Sequence, residues 1–348
     1  MAEIAHFASK AGYFVVSSFL ETTRGHHIRT APGVEFTIVP AVVFDTNAYG
    51  FLSDPGLAAM QRLELKSGIN AYASYLVIIE LLAHIASTSD PAHRRSLAAL
   101  KRLWRHCSKP VDGRETLMFL ADSQNQICKA LFDMRIPWRE TEPPAYAAIV
   151  GTIAHSDSPA DWSRYQPQLD YLKDHVAKIE DRFVQDVWQH VVLGVDPNAG
   201  SWRPLDNDPI LRKRLADAVK SPLGSRLSAV MIVLNAAAEL KLQLDQATLE
   251  EKVDFVMAVF ATPLALYNEI TRRIIMDGCD LRKENRGNSI WDTQIAFQTS
   301  PLAVLGQSPI WLVTDDGAIL DAARDAGAEG VVKSLTDYRA FLSSTYET

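Results

Sequence analysis

The sequence predicts an α/β fold, in which a parallel sheet flanked by helices is interrupted by a large all-helical insertion. Two apolar runs, residues 42–44 and 310–313, have the β-branched and aromatic content of short buried strands. Acidic residues follow both runs, and long stretches with the helical period lie between and after them. Strands followed by helices indicate a parallel sheet, because parallel strands need crossover connections.

The first strand belongs to a region rich in β-branched and aromatic residues, 34–44, where Pro40 favours an edge segment that leads into a buried strand. Helical spacing follows over residues 56–65 and again over residues 72–86. Glu80 stands among apolar residues inside the second of these helices. Burying an unpaired carboxylate is costly, so this acid is a candidate for a functional role.

The region from residue 91 to residue 286 is too long for an ordinary crossover between strands. Its periodic stretches are residues 161–192, 208–219, 227–242 and 249–276. We expect residues 91–286 to form a helical insertion domain. The sheet domain then consists of residues 36–90 and 287–348, preceded by an N-terminal extension of residues 1–35.

The α/β pattern resumes after the insertion. The expected elements are a helix over 290–299, the strand 310–313, a helix over 318–326 that ends at Gly327, a strand at 331–332 and a helix over 335–342. We therefore expect strands from both ends of the chain to contribute to one sheet.

Composition is that of a globular protein, with 348 residues, 47% hydrophobic and 22% charged. The net charge of -7 argues against a protein that coats nucleic acid, so any such contact must be local. Three cysteines without a CxxC pair suggest neither a disulfide framework nor a thiolate zinc site, and we expect a cytoplasmic protein. The apolar stretches fall short of the ~20 residues of a membrane span, so no membrane partner is expected.

Four acids occupy the positions where α/β proteins bind ligands. Asp45 and Asp316 follow the two predicted strands, and Glu80 and Asp292 lie in helices. Ligands of open α/β sheets bind outside the carboxyl ends of the strands, so these acids can meet in one pocket. Carboxylates gathered without a cation repel each other, whereas an all-oxygen cluster suits Mg²⁺ or Mn²⁺.

Each acid also has a purely structural interpretation, which the sequence leaves open. Asp45 and Asp316 could each begin a turn or cap a helix. Glu80 could pair with His84 one helical turn later. Asp292 could complete a capping box with the serine three residues before it.

The motifs around these acids are Asp45-Thr46-Asn47, Glu80 in Leu-Val-Ile-Ile-Glu-Leu-Leu, Asp292 in Trp-Asp-Thr-Gln-Ile-Ala, and Thr314-Asp315-Asp316. In this order and in these strand and helix contexts they resemble the PIN domain, a metal-dependent nuclease fold. In PIN proteins the corresponding acids hold one or two Mg²⁺ or Mn²⁺ ions that activate water for phosphodiester hydrolysis, usually of RNA. The resemblance implies that role for the four acids and a supporting polar role for Thr46, Asn47 and Thr314. The family's pattern here is Thr, any residue, then Asp, so Asp316 matches the fourth acid better than Asp315, which stands at the variable position and is counted with the supporting polar residues.

The resemblance covers about a third of the chain, residues 36–90 and 287–348. The insertion at residues 91–286 departs from the compact PIN toxins of toxin–antitoxin pairs, which have a short helical stretch there. A protein inhibitor or a second copy of the chain is therefore a possible partner in addition to an RNA substrate.

Two groups of basic residues are candidates for RNA binding. Arg94, Lys101 and Arg105 share one face of a predicted helix, which could guide a phosphate backbone toward the acids. The second group is Arg282, Lys283 and Arg286. Both groups could instead be ordinary solvated surface.

The sequence therefore predicts a metal-dependent endoribonuclease with a PIN-like domain. Motifs typical of serine hydrolases, P-loop enzymes and dinucleotide-binding enzymes are absent from the sequence. Two alternatives remain. The same acids could serve a DNA nuclease or a phosphatase, or the chain could be a catalytically silent PIN-like module that binds RNA or protein.

Overall fold

The computed structural model describes residues 41–120, 123–182, 207–277, 288–299 and 310–344. The predicted N-terminal extension, residues 1–35, and the first part of the predicted edge segment lie outside these ranges. The strands are β1 (Ala41–Phe44), β2 (Asn70–Ala71), β3 (Ser108–Val111), β4 (Arg114–Leu117), β5 (Ile310–Val313) and β6 (Val332–Lys333).

The helices before residue 207 are α1 (Thr46–Phe51), α2 (Asp54–Lys66), α3 (Tyr75–Ile85), α4 (His93–Cys107), α5 (Ser123–Phe132), α6 (Pro137–Ala154) and α7 (Gln166–Arg182). Those after it are α8 (Pro209–Lys220), α9 (Pro222–Glu239), α10 (Gln246–Val259), α11 (Ala261–Met276), α12 (Asn288–Ile295), α13 (Gly317–Ala326) and α14 (Leu335–Ser344). Two 3₁₀ segments, Pro159–Tyr165 and Ala296–Thr299, precede α7 and follow α12.

A four-stranded parallel sheet forms the centre of the fold, with the strand order β2-β1-β5-β6. All four residues of β1 are buried, as expected for a parallel strand covered on both faces. β1 pairs with β5 so that Phe44 lies opposite Val313. The structure is an α/β fold, as predicted, and strands from the two ends of the described chain form its two central positions.

Helices from the predicted insertion help to cover this sheet. α4 packs against α1 and α3, and α11 packs against α13 as well as against α8. The side chain of Glu269 on α11 is fully buried and forms ion pairs with Lys220 of α8, Arg272 and Arg273. Burial alone raises the pKa of Glu269, but the bonds and charges of Arg272 and Lys220 hold it at about 2. Arg273 also reaches Asp325 of α13 at 2.7 Å, so the ion pairs extend from the insertion to the sheet domain.

The insertion is not entirely helical, which corrects the sequence prediction. β3 and β4 form an antiparallel hairpin whose turn residues, Asp112 and Gly113, have positive φ angles of 49° and 75°. An Asp-Gly pair with both φ angles positive is a favoured two-residue hairpin turn. The strands themselves are mostly polar and exposed, so they lack the apolar alternation on which a strand prediction depends.

The periodic stretch 249–276 forms two helices, α10 and α11, that meet at an angle of 89°. The break lies at Phe260, which is buried. Pro263 explains it, because a proline ring clashes with the carbonyl four residues earlier and is tolerated in the first turn of a helix. Within the described ranges no single helix is long and apolar enough to cross a membrane, and only this bent pair meets the criterion when its two helices are combined.

Candidate active site

The carboxyl ends of β1 and β5 bring Asp45 and Thr314 together. The Asp45 amide donates to the carbonyl of Val313 at 3.0 Å, which extends the strand pairing by one residue. The Thr314 hydroxyl then donates to Oδ2 of Asp45 at 2.5 Å. Both side chains are buried, so this contact between residues distant in sequence is shielded from water.

Asp45 also caps a helix, as one structural interpretation of the sequence expected. Its Oδ1 atom accepts a hydrogen bond from the amide of Ala48 at 2.6 Å, at the start of α1. The two roles use different oxygens, so capping does not remove Asp45 from the pocket. It fixes the rotation of the carboxylate at the strand end.

Glu80 reaches the same region from α3. The hydroxyl of Thr46, the first residue of α1, donates to Oε2 of Glu80 at 2.5 Å. His84, the alternative partner expected from the sequence, contacts Asp90 at 3.1 Å. Thr46 therefore links the helix that follows β1 to the acid on α3.

Asp316 and Asp315 point to different partners. Asp316 caps α13 through Oδ1, which accepts from the Ala318 amide at 2.8 Å, while its Oδ2 accepts from the side-chain amide of Asn47 at 3.2 Å. The Asp315 carboxylate accepts from the amide of Leu335 at 3.0 Å and so caps α14. Asp316 is thus the acid of this pair that is tied to the Asp45-Thr46-Asn47 motif.

Asp292 is half-buried on α12, which packs against α3. Burial raises the pKa of its carboxyl group well above the usual range, and the carboxylates of Asp316, Glu80 and Asp45 raise it further. The side chain of the serine proposed for a capping box with Asp292 is outside the described residues.

The charges of the acids influence one another's pKa values. The pKa of Asp45 is raised to about 7, mainly by burial and further by the carboxylates of Glu80 and Asp316, against the lowering effect of the hydrogen bonds from Thr314 and Ala48. Asp45 and Asp292 therefore hold protons unusually strongly. A cation in the pocket would have the opposite effect on both pKa values.

The carboxylates are near enough for their charges to raise the pKa values of Asp45 and Asp292. Among the described residues, no three side chains of Asp, Glu, His or Cys converge closely enough to hold a metal ion as they stand. Hydroxyl and amide groups of the motif residues contact three of the four acids. Ion binding would therefore require small side-chain rotations toward a common centre.

The predicted RNA-binding residues have different surroundings. Lys101 donates to the carbonyl of Ser156 at 2.6 Å, and Arg105 pairs with Asp54 at 2.9 Å, so both have structural partners. Arg94 is exposed. Arg282, Lys283 and Arg286 lie outside the described residues.

A buried polar network beneath the site was not foreseen from the sequence. His106 on α4 contacts Glu64 of α2 at 2.8 Å and the hydroxyl of Tyr49 of α1 at 3.0 Å, and Tyr338 donates to Glu64 at 3.1 Å. Burial alone lowers the pKa of His106, but the charge of Glu64 and bonds to Cys107 and Glu64 raise it to about 10. One sequence signal could have indicated this network: Glu64 lies at helical spacing from Leu57 and Met60, on the apolar face of α2.

Comparison of the chain with protein-family models, with curated proteins and with solved structures found no match.

Proposed function

We propose that this protein is a metal-dependent nuclease that hydrolyses RNA phosphodiester bonds, with Asp45, Glu80, Asp292 and Asp316 as the ion-binding acids. The observation that carries the proposal is that these four acids, from two strand ends and two helices, lie near one another, with Asp45, Glu80 and Asp316 bonded to the polar groups of Thr314, Thr46 and Asn47. Burial and the neighbouring carboxylates raise the pKa values of Asp45 and Asp292, which disfavours their ionised forms unless a cation compensates. The resemblance of the same residues to PIN motifs supports the choice of reaction.

The donor set suits Mg²⁺ or Mn²⁺. All the candidate ligands are carboxylate oxygens, and the side chains around them contribute the hydroxyls of Thr46 and Thr314 and the amide of Asn47. Hard divalent cations prefer oxygen ligands and keep several water molecules. A bound ion of this kind lowers the pKa of a water molecule and stabilises charge on a phosphate.

The protein itself positions the acids and controls their charge. Thr314 holds the Asp45 carboxylate at the end of β1, and Thr46 holds Glu80 against the start of α1. Asn47 spans the gap to Asp316. We expect these three side chains to limit the rotation of the acids, which favours a single arrangement around the phosphate.

The test is cleavage of labelled RNA by wild type, Asp45→Asn and Asp292→Asn, with Mg²⁺, Mn²⁺ or EDTA. Glu329→Gln is the matched control, because Glu329 is an exposed acid that precedes β6, whereas the site lies after the carboxyl ends of β1 and β5. We expect wild type and the control to cut only with metal, and both site variants to lose at least ~100-fold in rate.

Comparison of RNA, DNA and phosphomonoester substrates distinguishes the proposed function from its alternatives. Cleavage of single-stranded DNA or of a phosphomonoester in preference to RNA would replace the proposal with a DNA nuclease or a phosphatase. Metal-independent cutting that is equal in all four proteins would indicate a contaminant. Tight RNA binding without any cleavage would leave a catalytically silent binding module.

A further inference from the structure

An exposed aromatic residue lies one helical turn from the acidic site. Phe51 is the last residue of α1 and is 69% exposed. It stands four residues after Asn47, so the two side chains occupy one face of the helix. Side chains on a helix lean toward its N-terminus, which directs Phe51 back toward Asn47 and its partner Asp316.

An arginine of α4 lies against the residue that precedes Phe51. The Cδ atom of Arg95 is 3.7 Å from the place that a Cβ atom would take on Gly50. A glycine at this position lets the arginine stem lie directly against α1. Arg95 is exposed, and within the part of the chain that the structure describes its guanidinium has no ion-pair partner.

Two other arginines of α4 have partners near the end of α1. Arg102 donates to the carbonyl of Tyr49 at 3.0 Å and to Asp54 at 2.9 Å, and it thereby holds the end of α1. Arg105 pairs with the same aspartate. Arg95, unlike these two arginines, has no ion-pair partner among the described residues, and its stem lies against Gly50, the residue before Phe51.

We propose that Phe51 and Arg95 bind single-stranded RNA next to the acidic site, with a base stacked on the ring and a phosphate on the guanidinium. This inference rests on the proposed nuclease function and specifies its substrate as an unpaired strand. An aromatic platform combined with a cation is the usual way in which proteins hold single strands without reading their sequence.

Stacking of a base on Phe51 favours a single strand over a duplex. A base can stack on Phe51 only if one of its faces is free, whereas bases within a duplex are stacked on their neighbours. The repulsive charge of the four acids also disfavours an approaching phosphate, so Arg95 supplies a local positive charge at the edge of the pocket.

Binding is measured first, without cleavage, by fluorescence anisotropy of a labelled ~12-nucleotide RNA and the full chain in EDTA, a length within the usual range for such surfaces. Phe51→Ala and Arg95→Gln are compared with matched controls on α2, Leu65→Ala and Arg62→Gln. Leu65 is 81% exposed and Arg62 is also exposed, so all four substitutions are at surface positions.

We expect Phe51→Ala to weaken single-strand binding by roughly 5- to 100-fold, while the controls stay near wild type. Phe51→Tyr should restore it, because the ring is retained. Arg95→Gln should reduce the slope of log affinity against log salt by ~0.7, the value for one phosphate contact on a single strand, and Arg95→Lys should keep the slope. An RNA duplex of the same length should bind more weakly than the single strand.

The outcomes distinguish this inference from the proposed function. If wild type binds no single-stranded RNA, or if both variants bind and cut like their controls, the inference is overturned even when wild type cleaves RNA. If the variants lose binding but wild type cuts no RNA with any metal, the nuclease proposal fails and the binding surface stands.

Discussion

Replacing Asp45 by asparagine should stabilise the folded protein while abolishing the proposed RNA cleavage. The side chain keeps its shape, and its oxygen can still accept from the amide of Ala48 at the start of α1. The substitution removes one of four mutually repelling carboxylates from a buried position. We therefore expect opposite effects on stability and on cleavage.

The size of the expected stability change follows from the pKa of Asp45. Asp45 binds a proton more tightly in the folded state, with a pKa of about 7, than in the unfolded chain, near 3.8. Stability therefore falls as the pH rises from about 4 through about 7, and ionisation costs the folded state roughly 4 kcal/mol at about pH 8. The hydroxyl of Thr314 loses its charged acceptor in the variant, which costs ~1 kcal/mol. The net gain is ~3 kcal/mol.

The assay is unfolding in urea with EDTA, followed by tryptophan fluorescence at about pH 5 and about pH 8. We expect Asp45→Asn to exceed wild type by ~3 kcal/mol at the higher pH and by less than ~1 kcal/mol at the lower pH, where the wild-type carboxyl is already protonated. Glu329→Gln should show no such difference. A variant that is less stable than wild type at the higher pH would refute the view that burial and the neighbouring acids raise the pKa of Asp45.

Three further predictions concern stability. Glu64→Gln should lower the unfolding free energy by ~3–5 kcal/mol at neutral pH, because it leaves the buried charge of His106 unpaired. Wild-type stability should fall as the pH rises from about 6.5 through about 10, where folded His106 loses its proton. Denaturant titrations at several pH values measure this, and a stability that does not change with pH would contradict it. Glu269→Gln should lower the unfolding free energy by a similar amount, because it breaks a buried ion-pair network. Wild-type stability should fall as the pH drops from about 4.5 toward 2, and an acid titration followed by circular dichroism would show or exclude this trend. Gly224→Ala should lower the unfolding free energy by about 3 kcal/mol, because a Cβ atom there would collide with the backbone of the preceding helix. Gly330→Ala is the control, because a Cβ atom there meets open space. Equal melting temperatures of the two variants would be inconsistent with that packing.

The sequence carried the information for the sheet and for the positions of the acids. The strand Ile310–Val313 and the helix that ends at Gly327 were predicted from an apolar run and from a glycine that adopts φ 70°. These features are local, so a single sequence reveals them. The hairpin around Asp112 was missed because its strands have no apolar pattern, although its turn residues favoured it.

The partners of the acids could not be predicted in the same way. The bonds of Thr314 to Asp45 and of Asn47 to Asp316 depend on the register of β1 with β5, which sequence periodicity does not specify. The same holds for Lys101, where an expected RNA-binding lysine bonds a backbone carbonyl. Whether a polar side chain is free to bind a ligand is a tertiary property.

The pairing of β1 with β5 has a consequence for the order in which the protein folds. Asp45 and Thr314 are separated by 269 positions, and strands joined over such a distance form slowly because a long loop must close first. During synthesis the first part of the chain can form helices, but its edge beside β1 stays unpaired until the later strand emerges. An incomplete chain therefore carries only some of the acids, so the proposed nuclease activity would be absent until β5 has paired with β1.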